Sequence, residues 1–360
     1  MTMRVLFMYI IPGGGVDTLN RQRCHALAKR GIECHCLYFH PGSGLQNINA
    51  EGITTFITKE PNEIIGIVNH YQYQAIIVTS AYMEVRMLRL KGFGGRIIFE
   101  NQGLGTLEWA RHEMKSGSPH INAYADGLLL PRTPHLLELT KEFCPNKLTF
   151  SFNNPIDTDT FSYRKKDKLP YPVLAWFGRM EYNKNWRDFL FIGYHLVQEY
   201  PDMKLWMFHD HTLAQPGETE MFELTVKDLG LGDHVVLRSN VPHASIPEIF
   251  SAIGDSGGLV CSTSRVEGAG YVVYEAMSCR CPVLTTDSDG VKSAVVHNVT
   301  GKFYNHGDID GAVLEALELM RDTGLRERIR MQARSLVENE FSVERYCINF
   351  FHMLQTVGAM

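Results

Sequence analysis

The chain has 360 residues, 44% of them hydrophobic and 21% charged, the proportions of an ordinary globular protein rather than a disordered or fibrous one. Its 35 basic and 40 acidic residues leave a net charge of −5, which argues against a nucleic-acid partner, since a general binder carries a basic surface. At this length two domains are expected rather than one very large core, and no apolar stretch approaches the roughly 20 residues needed to cross a bilayer. The opening Met1-Thr2-Met3-Arg4 runs straight into a strand-like segment without a signal-peptide pattern, so a cytoplasmic placement is expected. The eight cysteines form no C-x-x-C pair and are read as free thiols acting as small apolar residues. Metal ligation by Cys34/Cys36 or Cys279/Cys281 is the weaker alternative.

Taken in order, residues 4–11 form an apolar run of the buried-strand type, followed by Pro12-Gly13-Gly14-Gly15 and a helix over 16–30 closed by Gly31. Strands are predicted at 32–39, 52–59, 74–80 and 96–101, with helical stretches between them, and another strand–helix pair starts at 125. The alternation pauses at Asn153-Asn154-Pro155-Ile156-Asp157 and in the polar stretch 162–169, which reads as a linker. A second series follows, with strands at 173–177, 204–208, 234–237, 258–261 and 282–285. Helices are predicted over 185–200, 221–229 and 271–279, and three more over 308–357. Strictly alternating elements imply an α/β fold of two doubly wound, Rossmann-like units. Ligands on such sheets bind beyond the carboxyl ends of the strands, so the cleft between the units is the expected site.

Three segments carry chemistry. In Glu267-Gly268-Ala269-Gly270-Tyr271-Val272-Val273-Tyr274-Glu275 the glycines allow close backbone approach, and a helix starting near Gly270 offers unpaired N–H groups to an anion. Two flanking carboxylates suit a ligand with phosphates at its centre and hydroxyls at both ends, because a carboxylate accepts two hydrogen bonds from a vicinal diol. The structural alternative makes Glu267 a helix cap and Glu275 a surface partner. In Gly178-Arg179-Met180-Glu181-Tyr182-Asn183-Lys184, two cations at a strand's carboxyl end can hold a diphosphate and stabilise its charge as it leaves. The alternative is a salt bridge at Arg179 and a solvated Lys184. The loop 12–15 reads equally as a phosphate cradle or a simple turn, and it matches neither G-x-G-x-x-G nor the P-loop.

From Asn153 onward the chain resembles the GT-B fold class of glycosyltransferases, specifically the retaining family 4, the group 1 glycosyl transferases. The E-x7-E signature falls on Glu267 and Glu275, and the G-R-…-K element on Gly178, Arg179 and Lys184. The linker pattern falls on Asn154-Pro155-Ile156-Asp157 through Phe161, and the T-G-x-x element on Thr300-Gly301-Lys302-Phe303-Tyr304. The resemblance implies an acceptor-binding unit over 1–155 plus a returning C-terminal helix over 343–360, and a donor-binding unit over 156–342. It implies a sugar moved with retention from a nucleoside-diphosphate sugar, a UDP- or GDP-sugar, to an acceptor hydroxyl by front-face displacement. It implies that no metal and no cofactor take part. Arg179 and Lys184 would bind the diphosphate, Glu275 the ribose, and Glu267 with the Gly268, Ala269 and Gly270 backbone the transferred sugar. Gly14 and Gly15 would meet the donor phosphate. The acceptor would be a glycan, a glycolipid or a small molecule, and base choice would rest on backbone groups near 234–241.

The chain departs from that family at three places. The strand end Glu100-Asn101-Gln102-Gly103 lacks the usual histidine, which His112 could replace only from a solvated helix position. Arg280 stands where glycine is usual, and Phe208-His209-Asp210-His211 replaces a glycine-containing turn. The last could contact the base or a metal, but a polar turn is the preferred reading. Arg86, Arg89, Lys91 and Arg96, interleaved with apolar residues, allow a weak peripheral contact with the inner face of a membrane. An amphipathic helix with solvated cations accounts for them without one. The missing histidine keeps a nucleotide-sugar epimerase or hydrolase in view, and a catalytically silent sugar-nucleotide binder is the remaining alternative.

Overall fold

The computed structural model describes residues 2–165 and 167–360. The chain folds into two compact units, one made of Met1–Pro155 with Phe341–Met360 and the other of Ile156–Glu340. The first holds β1 (Met3–Tyr9), β2 (Ile32–Tyr38), β3 (Thr55–Ile57), β4 (Ala75–Thr79), β5 (Arg96–Glu100), β6 (Gly127–Leu130) and β7 (Thr149–Ser151). The second holds β8 (Val173–Phe177), β9 (Lys204–His209), β10 (Val235–Ser239), β11 (Leu259–Ser262), β12 (Val283–Thr286) and β13 (Lys302–Tyr304). All neighbours are parallel, in the orders β3-β2-β1-β4-β5-β6-β7 and β10-β9-β8-β11-β12-β13. The central strands are apolar on both faces, as sheets covered by helices on each side require, and β4 is buried throughout.

Local chemistry sets the helix ends. Thr106, Asp308 and Ser342 each accept a backbone N–H from the third residue onward, capping the helices Leu107–Tyr124, Ile309–Arg321 and Val343–Thr356. Pro61, Pro134 and Pro247 sit in first turns, where the missing N–H costs nothing. The helix Thr323–Glu340 is fastened by three arginines spaced one turn apart. Arg326 donates to the carbonyls of Gly254 and Gly258 at 2.6 Å, Arg330 to that of Arg280 at 2.6 Å, and Arg334 to that of Ser278 at 2.5 Å.

In the first unit a fully buried ion pair ties helix Gly14–Ala28 to the end of β5. Arg23 donates through both terminal nitrogens to Glu100, at 2.7 and 2.9 Å, and its guanidinium lies 3.8 Å from the centre of the Phe7 ring. Thr79 and Gln102 also donate to Glu100, at 2.6 and 3.0 Å. The returning helix Val343–Thr356 packs here, with Phe350 6.1 Å from Phe7 and Glu344 paired with Arg30. Among the described residues no helix is long and apolar enough to cross a membrane.

Candidate active site

A doubly wound sheet binds its ligand where the strand order reverses. In the second unit that point lies between β8 and β11, so the loops leaving these strands, residues 178–185 and 263–270, run side by side. They are laced together: Asn183 Nδ2 donates to the Val266 carbonyl at 3.0 Å, and the Val266 amide returns a bond to Asn183 Oδ1 at 3.2 Å. Beneath them Trp176 Nε1 donates to Thr263 Oγ1 at 3.1 Å, and Thr263 in turn donates to the Lys184 carbonyl at 2.9 Å. Gly178 is packed against the same indole, where an added Cβ would come within 2.8 Å of Trp176. Asn185 then turns at φ +50°, a left-handed conformation asparagine tolerates, and starts the helix Trp186–Glu199.

This lacing brings two of the sequence-predicted residues into direct contact. Lys184 Nζ donates to Glu267 Oε1 at 2.5 Å, with the side chains 22% and 14% exposed. Arg179, from the same loop as Lys184, is half exposed and pairs with Glu181 at 3.2 Å. Each of these two cations is thus matched by a carboxylate.

Helix Tyr271–Ser278 begins at Gly270 with no side-chain cap, so Glu267 is not its N-cap, and the Tyr271 amide donates to the Ala269 carbonyl at 2.9 Å. Glycine is required on both sides of this turn. A Cβ on Gly270 would come within 2.6 Å of Val291, and one on Gly290 within 2.2 Å of the Glu267 carbonyl. The Tyr274 hydroxyl ties the two segments by donating to the Gly290 carbonyl at 2.6 Å, and burial pushes its pKa up to about 12.

Glu275 is not a surface residue: it is 4% exposed, and its Oε1 accepts from His243 Nε2 at 3.0 Å. His243 lies just past β10, with its ring 4.8 Å from that of Phe161. Phe161 closes the linker element. The Asp157 carboxylate accepts from the amides of Asp159 and Thr160 at 3.1 and 3.2 Å, and the Phe161 carbonyl accepts from Ser278 Oγ at 2.5 Å. Sequence reasoning missed His243; its one signal was its place two residues beyond the 234–241 stretch.

The other predicted positions have their own partners. The polar turn expected over 208–211 is only partly one: Phe208 and His209 are the last residues of β9, and only from Asp210 does the chain turn, with Asp210 accepting from the Thr212 amide at 2.9 Å, while burial holds His209 below the ordinary imidazole value. Among the described residues no cluster of three or more His, Cys, Asp or Glu side chains could hold a metal ion. In the first unit Gly14 opens its helix at φ +69° and Gly15 follows, again without a side-chain cap. Asp17, in the first turn there, accepts from the Tyr38 hydroxyl at 2.9 Å and from Arg21 Nε at 3.2 Å. At the strand end without histidine, Glu100 is held by Arg23, and Asn154 Nδ2 donates to Gln102 Oε1 at 2.7 Å. His112 is exposed and stacks on Trp109 at 5.4 Å. Of the interleaved cations, Arg89 donates to the Phe93 and Gly95 carbonyls at 2.7 Å, Lys91 to Asn62 at 3.1 Å, and Arg96 to the Gly358 carbonyl at 3.3 Å.

Two parallel, doubly wound sheets with helices on their faces, the second bearing this site at its switch point, define a GT-B protein. The family model "Glycosyl transferases group 1" matches residues 157–336, half of the chain, and the chain belongs to that family. The capsular polysaccharide biosynthesis glycosyltransferase CapM of Staphylococcus aureus is 32% identical over 123 residues, 33% of this chain and 32% of that protein. A GDP-mannose-dependent phosphatidylinositol monomannoside mannosyltransferase of Mycolicibacterium smegmatis is 30% identical over 107 residues, 29% of this chain and 28% of that protein. The chain thus spans about a third of the length of these two curated relatives. The crystal structure of Anabaena HepE in complex with UDP-glucose superposes with a TM-score of 0.84 at 17% identity, covering 98% of this chain and 100% of that one. Sucrose-phosphate synthase of Thermosynechococcus elongatus gives 0.81 at 15% identity, covering 99% of both chains.

Proposed function

We propose that the chain is a retaining glycosyltransferase that moves a hexose from a UDP- or GDP-sugar to an acceptor hydroxyl without a metal. The observation that supports this reading is the contact of Lys184 with Glu267 between the loops that leave β8 and β11, at the switch point of the second sheet, with Arg179 in the first of these loops and Glu275 in the helix that follows the second. Gly178 lets the chain leaving β8 pack closely on the Trp176 indole, and Arg179 and Lys184 of this loop bind the donor diphosphate. The backbone of Gly268, Ala269 and Gly270 and the helix N-terminus meet the transferred sugar and its phosphate, and Glu275 accepts from the ribose. Gly14 and Gly15 offer the amides of a second uncapped helix to the donor phosphate.

In the reaction, the bond between the anomeric carbon and the diphosphate oxygen breaks as the acceptor oxygen attacks from the same face. The leaving oxygen takes the acceptor's proton. Lys184, released from Glu267 by the incoming diphosphate, and Arg179 stabilise the charge that grows on the leaving group. Such preorganised cations act far more strongly in a water-poor site than in bulk water. Glu267, once free of the lysine, accepts from hydroxyls of the transferred sugar. The acceptor is a glycan, a glycolipid or a small molecule bearing a hydroxyl, and nothing in the proposed chemistry calls for a cofactor.

The test is product analysis. UDP-glucose, UDP-N-acetylglucosamine and GDP-mannose are incubated with a panel of hydroxyl acceptors, with and without EDTA, and the anomeric proton of the product is followed by NMR. Retained configuration at a rate unchanged by EDTA is expected. An inverted linkage would overturn retention, and turnover abolished by EDTA would overturn metal independence. Equal nucleoside diphosphate release with and without acceptor would make the chain a hydrolase.

A further inference from the structure

Within the proposed donor site, Glu275 poses a physical problem of its own. Its side chain is 6% exposed, and a polar group so far from water needs a hydrogen-bond partner. Among the described residues one side chain does this: His243 Nε2, 3.0 Å from Oε1. A carboxylate only accepts, so Nε2 carries the proton and donates. The imidazole in turn packs at a tilt of 52° against the ring of Phe161, whose carbonyl is pinned by Ser278 from the same helix as Glu275. The linker, the residues after β10 and the signature helix are therefore joined around one carboxylate.

We infer that His243 is a positioning residue: it fixes Glu275 by occupying Oε1, so that Oε2 is presented as the acceptor for a ribose hydroxyl. This deepens the donor-site reading and rests on it. A carboxylate held by one donor and offered to one hydroxyl distinguishes a ribonucleotide from its 2′-deoxy counterpart, since removing the hydroxyl leaves a buried acceptor unpaired. With His243 removed, Glu275 is free to rotate, and that discrimination fades while the diphosphate contacts through Arg179 and Lys184 persist.

The experiment measures calorimetric affinities of UDP, 2′-deoxy-UDP, GDP and 2′-deoxy-GDP for the full chain and for four variants. His243→Phe keeps the ring against Phe161 but removes the donor. His243→Gln returns an amide donor at the reach of Nε2. Glu275→Ala removes the acceptor itself. Lys184→Met is the control for the diphosphate. The wild type is expected to favour the ribonucleotide by about tenfold or more, the worth of a hydrogen bond to a charged group. His243→Phe and Glu275→Ala should both bind the ribo and deoxy forms alike, and His243→Gln should restore most of the preference. Equal weakening of both forms in His243→Phe, with the preference intact, would reduce His243 to a packing residue and overturn the inference alone. A preference that survives Glu275→Ala, or no binding of any of the four nucleotides to the wild type, would instead overturn the donor-site assignment beneath it.

Discussion

Two residues show how the local surroundings decide what a side chain can do. Arg280 adopts φ +58° just past the end of helix Tyr271–Ser278, the left-handed position where glycine normally ends a helix, and the guanidinium lies 4.8 Å over the ring of Tyr163. Arg280→Ala and Arg280→Gly both lose that contact, but only glycine relieves the backbone. The glycine variant should therefore be more stable than the alanine variant by about 1 kcal/mol in denaturant titrations; equal stabilities would contradict this. The second is Lys184, which pairs with Glu267. Lys184→Met should weaken UDP or GDP binding about tenfold to a hundredfold, whereas Glu267→Gln should bind the nucleoside diphosphate at least as tightly as wild type while losing transfer. Weakened binding in Glu267→Gln would show that the pair does not compete with the ligand. The residue types at both positions were legible in the sequence. The pairing was not, because it depends on the lacing of two loops more than 80 residues apart through Asn183.

Among the elements, those with a strong period and clear end signals were the easiest to read. The central strands and the first helix, closed by Gly31, fall within a few residues of their predicted places, for example β8 at Val173–Phe177. Short edge pieces such as β7, Thr149–Ser151, and the helix Leu45–Glu51 carried too few apolar residues to declare themselves. Neither were the side-chain clamps between elements visible. One of them joins helices Trp186–Glu199 and Glu218–Asp228: Glu218 accepts from Arg187 at 2.7 and 3.1 Å and from Trp186 Nε1 at 2.7 Å. The hydrogen bonds from Arg187, with a smaller share from Trp186, hold its carboxyl below the ordinary value of 4.5. A carboxylate whose folded pKa is depressed contributes stability that is complete above the unfolded value and fades as pH falls through the folded one. Glu218→Gln should thus cost about 1 kcal/mol at pH 7, discounted for partial exposure, and progressively less as the pH falls below the ordinary carboxylate range. A cost that does not change with pH would show that packing, not charge, holds these helices.

At the scale of the whole molecule, the two sheets share one winding order, and their alternation was the plainest message of the sequence, while the content of the first unit's interior was hidden. Glu100 stands at a strand end where a catalytic histidine was sought, yet it is fully buried and bound to Arg23, Thr79 and Gln102. No spacing rule reports a partner 77 residues away, so an ion pair central to the fold reads as an unexplained departure. Because removing one member strands the other charge in the core, Arg23→Met should lower the stability of this unit by about 3–5 kcal/mol, read as a shift of its unfolding midpoint. A loss under 1 kcal/mol would mean that water reaches Glu100. The function proposed here depends on the second unit, and its most direct test is a calorimetric titration of UDP and GDP into the full chain and into its Arg179→Ala/Lys184→Met variant. The expected result is saturable, one-to-one binding of at least one nucleotide to the wild type, reduced at least a hundredfold in the variant with its thermal unfolding otherwise unchanged. Binding of equal strength in both proteins, or in neither, would contradict the donor site.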